Sequence, residues 1–394
     1  NSFRVDFDNA SLATGAALTG DNRYLLTALE TSRELSVYDT VNNFELMRLP
    51  TGRAPQGVAL SSDGSIAYVH NFMDRSITRF DLTAMILSEL PSTNILGELP
   101  VVTIETLPAE ILIGKQHFYD AADDRIALDN YMSCASCHNE GDSDGRVWDL
   151  SGMGEGLRNT ISLRGKGGAQ GPLHWSQNFD EVQDFENQIR ALNAGLGLMS
   201  QADFDLTSDT LGAPKAGLSA DLDALAAYVE SLSDVPASPF RNSDGLMTLA
   251  AIAGVEVFQE NNCASCHFGE HFTDSASAGL HDIGTLKPGS GLRMGGSLTG
   301  IDSPSLRGIW ENAPYLHDGS AATLLEAVTA HSVVDSLSAE DMANLVAYLQ
   351  QIDGHNLAAP MPVSDGLVAH WPMTEGVGIT MADISGNGFT AALN

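Results

Sequence analysis

The chain has 394 residues, 43% of them hydrophobic, enough to bury one or more cores and too apolar for a disordered polymer. Its 51 Asp and Glu outweigh 19 Lys and Arg to give a net charge of −32. That balance argues against a nucleic-acid binder or an anionic-membrane binder, each of which needs a basic face. No run of about 18 apolar residues offers a membrane span.

In chain order, residues 1–105 carry a short repeat. Segments 15–21 and 32–39 recur 42 residues later as 57–63 and 74–81. Each copy alternates apolar and polar residues between turns, as in Ile66-Ala67-Tyr68-Val69-His70. This predicts short antiparallel strands in the manner of a propeller blade, and the copies resemble YVTN-type blades. Two blades cannot close a ring. Either further blades lie upstream, or these strands pack on the domains that follow.

A larger repeat begins near residue 106. Gly114-Lys115-Gln116-His117-Phe118-Tyr119 leads into Cys134-Ala135-Ser136-Cys137-His138, and Gly254-Val255-Glu256-Val257-Phe258 leads into Cys263-Ala264-Ser265-Cys266-His267. Ser162-Leu163-Arg164-Gly165 recurs as Ser305-Leu306-Arg307-Gly308, 143 residues on, and at that offset Leu173-His174 becomes Leu316-His317. Each copy closes with a predicted amphipathic helix behind a Ser cap. Ser219 precedes Leu222, Leu225, Ala226 and Val229; Ser338 precedes Met342, Leu345, Val346 and Leu349. Acids fill both first turns, as the helix dipole favours. Pro-containing linkers at 235–239 and 358–362 set the domains at 1–105, 106–238, 239–356 and 357–394. The expected fold is mainly α, two haem domains in tandem between a β-rich N-terminal segment and a short β tail.

All four cysteines fall in the two Cys-x-x-Cys-His copies, the attachment motif of c-type haem. Two thiols one turn apart add across the haem vinyl groups, and the adjacent imidazole reaches the iron. Zinc would want a second ligand pair near each Cys pair, and a redox Cys pair would want a thioredoxin-like setting. Two covalent haems consume every thiol. Haem c is assembled outside the cytoplasm, so a periplasmic, extracellular or cell-surface location is expected. The chain opens without Met or a signal-peptide core, which reads as a processed or excised piece of something longer.

The paired units resemble the bacterial di-haem cytochrome c peroxidase superfamily, with its MauG-type enzymes and rubber oxygenases. The residues that carry this are 114–120, 133–138, Leu157-Arg158-Asn159-Thr160, Phe272-Thr273-Asp274, His281-Asp282-Ile283-Gly284, Ser303 to Arg307 and Ala313 to Gly319. The tail from Gly366 resembles the opening of a laminin-G or concanavalin-like module. From the superfamily resemblance follow His138 and His267 as proximal iron ligands and Trp175 as the tryptophan between the haems. Electrons from a small cytochrome or cupredoxin-like donor would enter at the C-terminal haem, and peroxide or O2 would react at the N-terminal one. The resemblance also implies a distal ligand at His331, with Met294 as the alternative, and a calcium ion held by the Asn159 side chain and the carbonyls of Asn312 and Pro314. Arg158, Arg164 and Arg307 are candidate propionate partners, since guanidinium pairs bidentately with carboxylate.

The N-terminal site departs from that pattern. Gln188 falls at the position of the family's glutamine, but Leu198 stands where its acid–base glutamate belongs. No histidine lies between His138 and His174. Glu181 and Glu186 are substitutes expected on a solvated face, and His174 is a further candidate. His70, His271, His281, His355 and His370 receive no role. Beside the peroxidase-like reading stand an electron-transfer cytochrome without turnover and a haem module in a surface adhesion or glycan-binding protein.

Overall fold

The computed structural model describes residues 12–88, 92–165, 171–277, 279–355, 380–382 and 390–392. It divides into two units. The first runs to Glu140 and resumes over Glu181–Ser231; the second holds Gly141–Asp180 and the chain from Leu232 onward. Segment 141–180, expected with the first haem domain, thus groups with the second unit.

In the first unit the short repeat becomes two four-stranded antiparallel sheets. Strands β1 (Ala13–Leu18), β2 (Tyr24–Leu29), β3 (Glu34–Asp39) and β4 (Phe44–Pro50) pair in sequence order. So do β5 (Pro55–Leu60), β6 (Ile66–Asn71), β7 (Ser76–Asp81) and β8 (Asn94–Pro100), with helix α1 (Thr83–Ser88) between the last two. Alternation sends Tyr24, Leu26, Leu35 and Val37 of one sheet against Ala67, Val69 and Phe80 of the other, all at most 2% exposed. The strands also pack on the helical segment that follows. The Ala121 amide donates to the Thr31 carbonyl at 2.9 Å. Arg33 pairs with the buried Asp120, its Nε at 2.8 Å, and Lys115 sits 4.7 Å above the Phe72 ring. Buried Glu30, at the end of β2, accepts from the Gln56 amide at 2.8 Å, and burial pushes its carboxyl up to about 7.

Helices α2 (Ala109–Phe118), α3 (Cys134–Cys137), α4 (Phe185–Ala191), α5 (Gln201–Thr207) and α6 (Ala220–Glu230) complete the first unit. The second contains α7 (Leu249–Glu260), α8 (Leu324–Thr329) and α9 (Ala339–Leu349), with short ladders β9 (Val147–Asp149) to β10 (Leu157–Asn159) and β11 (Leu292–Arg293) to β12 (Gly296–Ser297). The predicted caps form. Ser219 Oγ accepts from the Leu222 amide at 3.4 Å and Ser338 Oγ from the Asp341 amide at 3.1 Å.

The duplicated unit is visible in one helix crossing made twice. Where α2 meets α6, a Cβ on Gly114 would strike the Ala224 carbonyl. Where α7 meets α9, a Cβ on Gly254 would strike the Asn344 carbonyl. Beside each glycine an aromatic pair packs edge to face, Phe118 on Tyr228 at 5.1 Å and Phe258 on Tyr348 at 5.4 Å. Among the described residues of the tail, Thr380–Ala382 pairs antiparallel with Thr390–Ala392; the rest of the suggested laminin-G-like opening, including His370, lies outside them. Among the described residues no helix is long and apolar enough to cross a membrane.

Candidate functional site

In the second unit the haem motif follows α7 directly. Asn262 takes a left-handed φ of 52°, turning the chain into a 3-10 turn over Cys263–Ser265. The His267 amide closes on the Cys263 carbonyl at 3.0 Å, so both thiols and the imidazole leave one turn. Cys263, Cys266 and His267 line a cavity of about 380 Å3 whose walls also include Trp175 and His331. The His267 ring is held by its Nδ1 against the Phe272 carbonyl at 3.2 Å, the orienting contact an iron-binding imidazole needs. Burial, aided by nearby His331, lowers His267 to about 4, which keeps it neutral and able to ligate.

Helix α8 ends at Thr329, and His331 starts the next 3-10 turn, with Nδ1 3.0 Å from the Ala327 carbonyl. It faces the cavity and is lowered by burial. Met294, the alternative, is 46% exposed and is not among the cavity-lining residues. Arg164 and Arg307 line the cavity; Arg158 does not. Its guanidinium, 6% exposed, is spent on Glu155 at 2.8 Å and the Ser290 and Leu292 carbonyls at 2.8 and 2.9 Å. Its Nε alone is left without a hydrogen-bond partner.

Trp175 is buried, donates from Nε1 to the Asn159 carbonyl at 2.7 Å, and accepts from the Asp302 amide at 2.8 Å. The Asn159 side chain donates to the Pro314 carbonyl at 2.5 Å. The Oδ1 atoms of Asn159 and Asn312 are buried without hydrogen-bond partners. Of the three suggested calcium oxygens, Asn159 Oδ1 thus lacks a donor, which fits a cation; the second orphan is the Asn312 side-chain oxygen, whereas the suggested ligand there is the Asn312 carbonyl. The structure also corrects the register of the repeat here. Positive φ at His174 and Gln177 matches positive φ at Leu316 and Gly319, and the Leu173–Phe179 bridge matches Tyr315–Ala321. The offset has dropped from 143 to 142, so Trp175 corresponds to His317 rather than to Asp318. His174 is held by Asn178 at 2.7 Å and packs on Phe179 at 4.5 Å, a structural setting.

In the first unit, α3 carries Cys134 and Cys137, and the His138 amide bonds the Cys134 carbonyl at 2.9 Å, the same turn as in the second unit. Burial raises the Cys134 and Cys263 thiols to about 11. Gln188 lies on α4, half-buried. Of the two substitute acids, Glu186 turns inward and Glu181 is half-buried. Glu186 is fully buried and accepts from Arg190 Nε at 2.8 Å and the Leu198 and Met199 amides at 2.9 and 3.3 Å. Glu181 accepts from the Lys215 and Ala216 amides. Both secure loops, Glu181 from a half-buried position and Glu186 from a fully buried one, where a carboxylate needs donors. Leu198 itself is 7% exposed, apolar where an acid was sought.

A cytochrome c-like family, described as RoxA-like, matches residues 300–333, the stretch that ends at the distal-ligand candidate. The chain is similar to hydrazine synthase subunit gamma of Kuenenia stuttgartiensis, 29% identical over 61% of this chain and 76% of that one. It is similar to the cytochrome c peroxidase Ccp of Escherichia coli K12, 27% identical over 59% of this chain and 56% of that one. It is also similar to the methylamine utilization protein MauG of Methylophilus methylotrophus, 25% identical over 64% and 84%. The chain is a peroxidase-like c-type haem oxidoreductase.

One cluster in this oxidoreductase escaped sequence reasoning. Cys266, Asp274 and His281 place a thiol, a carboxylate and an imidazole within 4.8 Å of one another. Asp274 and His281 sit in a motif read from the sequence, yet nothing in their spacing says they meet. The contact depends on the backbone bridge from His281 to Ile301, twenty residues away.

Proposed function

We propose that electrons from an external small cytochrome or cupredoxin-like donor enter a haem on Cys263, Cys266 and His267 and pass to a haem on Cys134, Cys137 and His138, where peroxide is reduced. The observation that carries this is the pairing of His267 and His331 in one cavity of the second unit, against the absence of any histidine between His138 and His174 in the sequence that follows the first motif. Two imidazoles saturate an iron and suit it to electron transfer, whereas a single proximal ligand leaves a coordination position for oxidant. The haems supply the redox chemistry: peroxide, two electrons and two protons become two waters.

The protein's own residues set the terms. Neutral His267 and His331 hold one iron, Trp175 is the relay, and Gln188 orients the bound oxidant. With Leu198 in the acid position, protons must come from water rather than from a placed carboxylate. Asn159, Asn312 and Pro314 hold calcium, and the location is the periplasm, the cell surface or the exterior. In the test, reduced holoprotein is mixed with hydrogen peroxide and donor turnover is followed. Sustained turnover, slowed at least tenfold by Trp175→Phe and reduced by calcium chelation, is expected. Haems that stay inert in every redox state would overturn the reading in favour of pure electron transfer, the alternative that buried Leu198 and inward Glu186 favour.

A further inference from the structure

We propose that His281 and Asp274 form a general-base pair that makes the Cys266 thioether, a maturation function built into the site. This rests on the reading that a haem is attached through Cys263 and Cys266. His281 Nε2 lies 2.5 Å from Asp274 Oδ2, and its Nδ1 lies 3.8 Å from Cys266 Sγ, within hydrogen-bond range for sulfur. Thiol, imidazole and carboxylate stand in the order that activates a cysteine nucleophile elsewhere. With Nε2–H donating to the carboxylate, the Nδ1 lone pair faces the thiol.

The pair is rigidly built. His281 exchanges both backbone hydrogen bonds with Ile301, at 2.9 and 2.8 Å. The Asp274 carbonyl accepts from the Ser277 amide at 2.8 Å and hydroxyl at 2.7 Å. Asp274 is 4% exposed, and its Oδ1 has no hydrogen-bond partner. A cysteine that only packed against a haem edge would have no use for a buried acid behind an aimed imidazole, and a buried acid without full pairing costs stability.

The step balances as an addition. The Sγ–H bond breaks, its proton passing to His281 Nδ1. Sγ bonds the vinyl carbon next to the porphyrin ring, the vinyl double bond becomes single, and the terminal carbon takes a proton, which the imidazolium returns. No oxidant or reductant is consumed, and a ferrous haem remains ferrous. The first copy has no histidine between 138 and 174, so the device serves the second haem alone. Cys134 and Cys137 are therefore internal controls.

The test uses the full chain matured by a host that attaches haem c, comparing wild type with His281→Gln and Asp274→Asn. Haem peptides are identified by mass spectrometry, and unreacted thiols are counted by alkylation. Cys266 should remain alkylatable in at least a tenfold larger fraction of either variant, while Cys134, Cys137 and Cys263 stay attached. Reconstitution of reduced, haem-free chain with ferrous haem should form the Cys266 thioether at least tenfold more slowly in both variants. Added imidazole should restore much of that rate in His281→Ala, which a merely structural role would not allow. Wild-type extent and rate at Cys266 in both variants would overturn the proposal, as would equal loss at all four cysteines. Wild-type protein with no haem on Cys263 would instead defeat the cofactor reading itself.

Discussion

The two Cys-x-x-Cys-His units share a scaffold and differ in the side chains set around it. Each has a glycine at its main helix crossing, Gly114 or Gly254, an aromatic pair beside it, and a Cys-x-x-Cys-His turn closed by the same backbone hydrogen bond. The second adds His331 to the cavity of His267 and an imidazole–carboxylate pair to Cys266. The first turns its local acids, Glu181 and Glu186, into loop anchors and buries Leu198 where a proton donor would act. After duplication, packing residues stay alike because close-packed crossings tolerate little change. Residues around the iron are under no such constraint and diverge into separate tasks.

The largest expected effect removes one half of the comparison. Replacing Cys263 and Cys266 with Ala should leave one covalent haem per chain, counted by pyridine haemochrome against protein; two remaining haems would break the assignment of one per unit. Next, His331→Gly should convert the low-spin ferric signal of the second unit to high spin and raise its potential, because an imidazole ligand is lost. Substituting Met294 should leave that signal unchanged.

The shared scaffold is tested through its glycines. Gly254→Val forces a side chain into the Asn344 carbonyl and should cost about 3 kcal/mol, as overpacking at such contacts does. Gly114→Val should cost a similar amount in the first unit, read from denaturant unfolding of the holoprotein.

The pH dependence should separate the units by sign. In the haem-free chain His267, lowered to about 4 from 6.5, contributes stability that is present above pH 6.5 and lost as pH falls toward 4, about 3 kcal/mol in all. Glu30, raised to about 7 from 4.5, contributes stability present below pH 4.5 and lost as pH rises toward 7, about 3 kcal/mol. His267→Gln should flatten the acid side of the stability curve, and Glu30→Gln the neutral side. The smallest effect is a gain: Leu198→Glu should quicken peroxide reduction if proton delivery limits it, the test that most sharpens the contrast.

Most of the scaffold was legible because it depends on local pattern. Alternation across 66–70, the Ser caps at 219 and 338, and the Cys-x-x-Cys-His turns are set by neighbours in sequence. The parts that were not legible depend on contacts between distant residues. Nothing local says that Glu186 turns inward to meet the Leu198 and Met199 amides, or that Arg158 is taken up by Ser290 and Leu292. The one-residue slip that pairs Trp175 with His317 shows only in backbone φ values and bridge positions, since Leu-His occurs in both copies by coincidence of letters. His281 was passed over because a histidine gains meaning from what faces it.

The central claim is that one iron is closed by two imidazoles and the other is open to oxidant. Low-temperature electron paramagnetic resonance of the ferric holoprotein, before and after hydrogen peroxide, tests it most directly. The account predicts one low-spin bis-imidazole signal that His331→Gly abolishes, and one high-spin signal that peroxide alone changes. Two low-spin signals, both indifferent to peroxide and to His331→Gly, would contradict it.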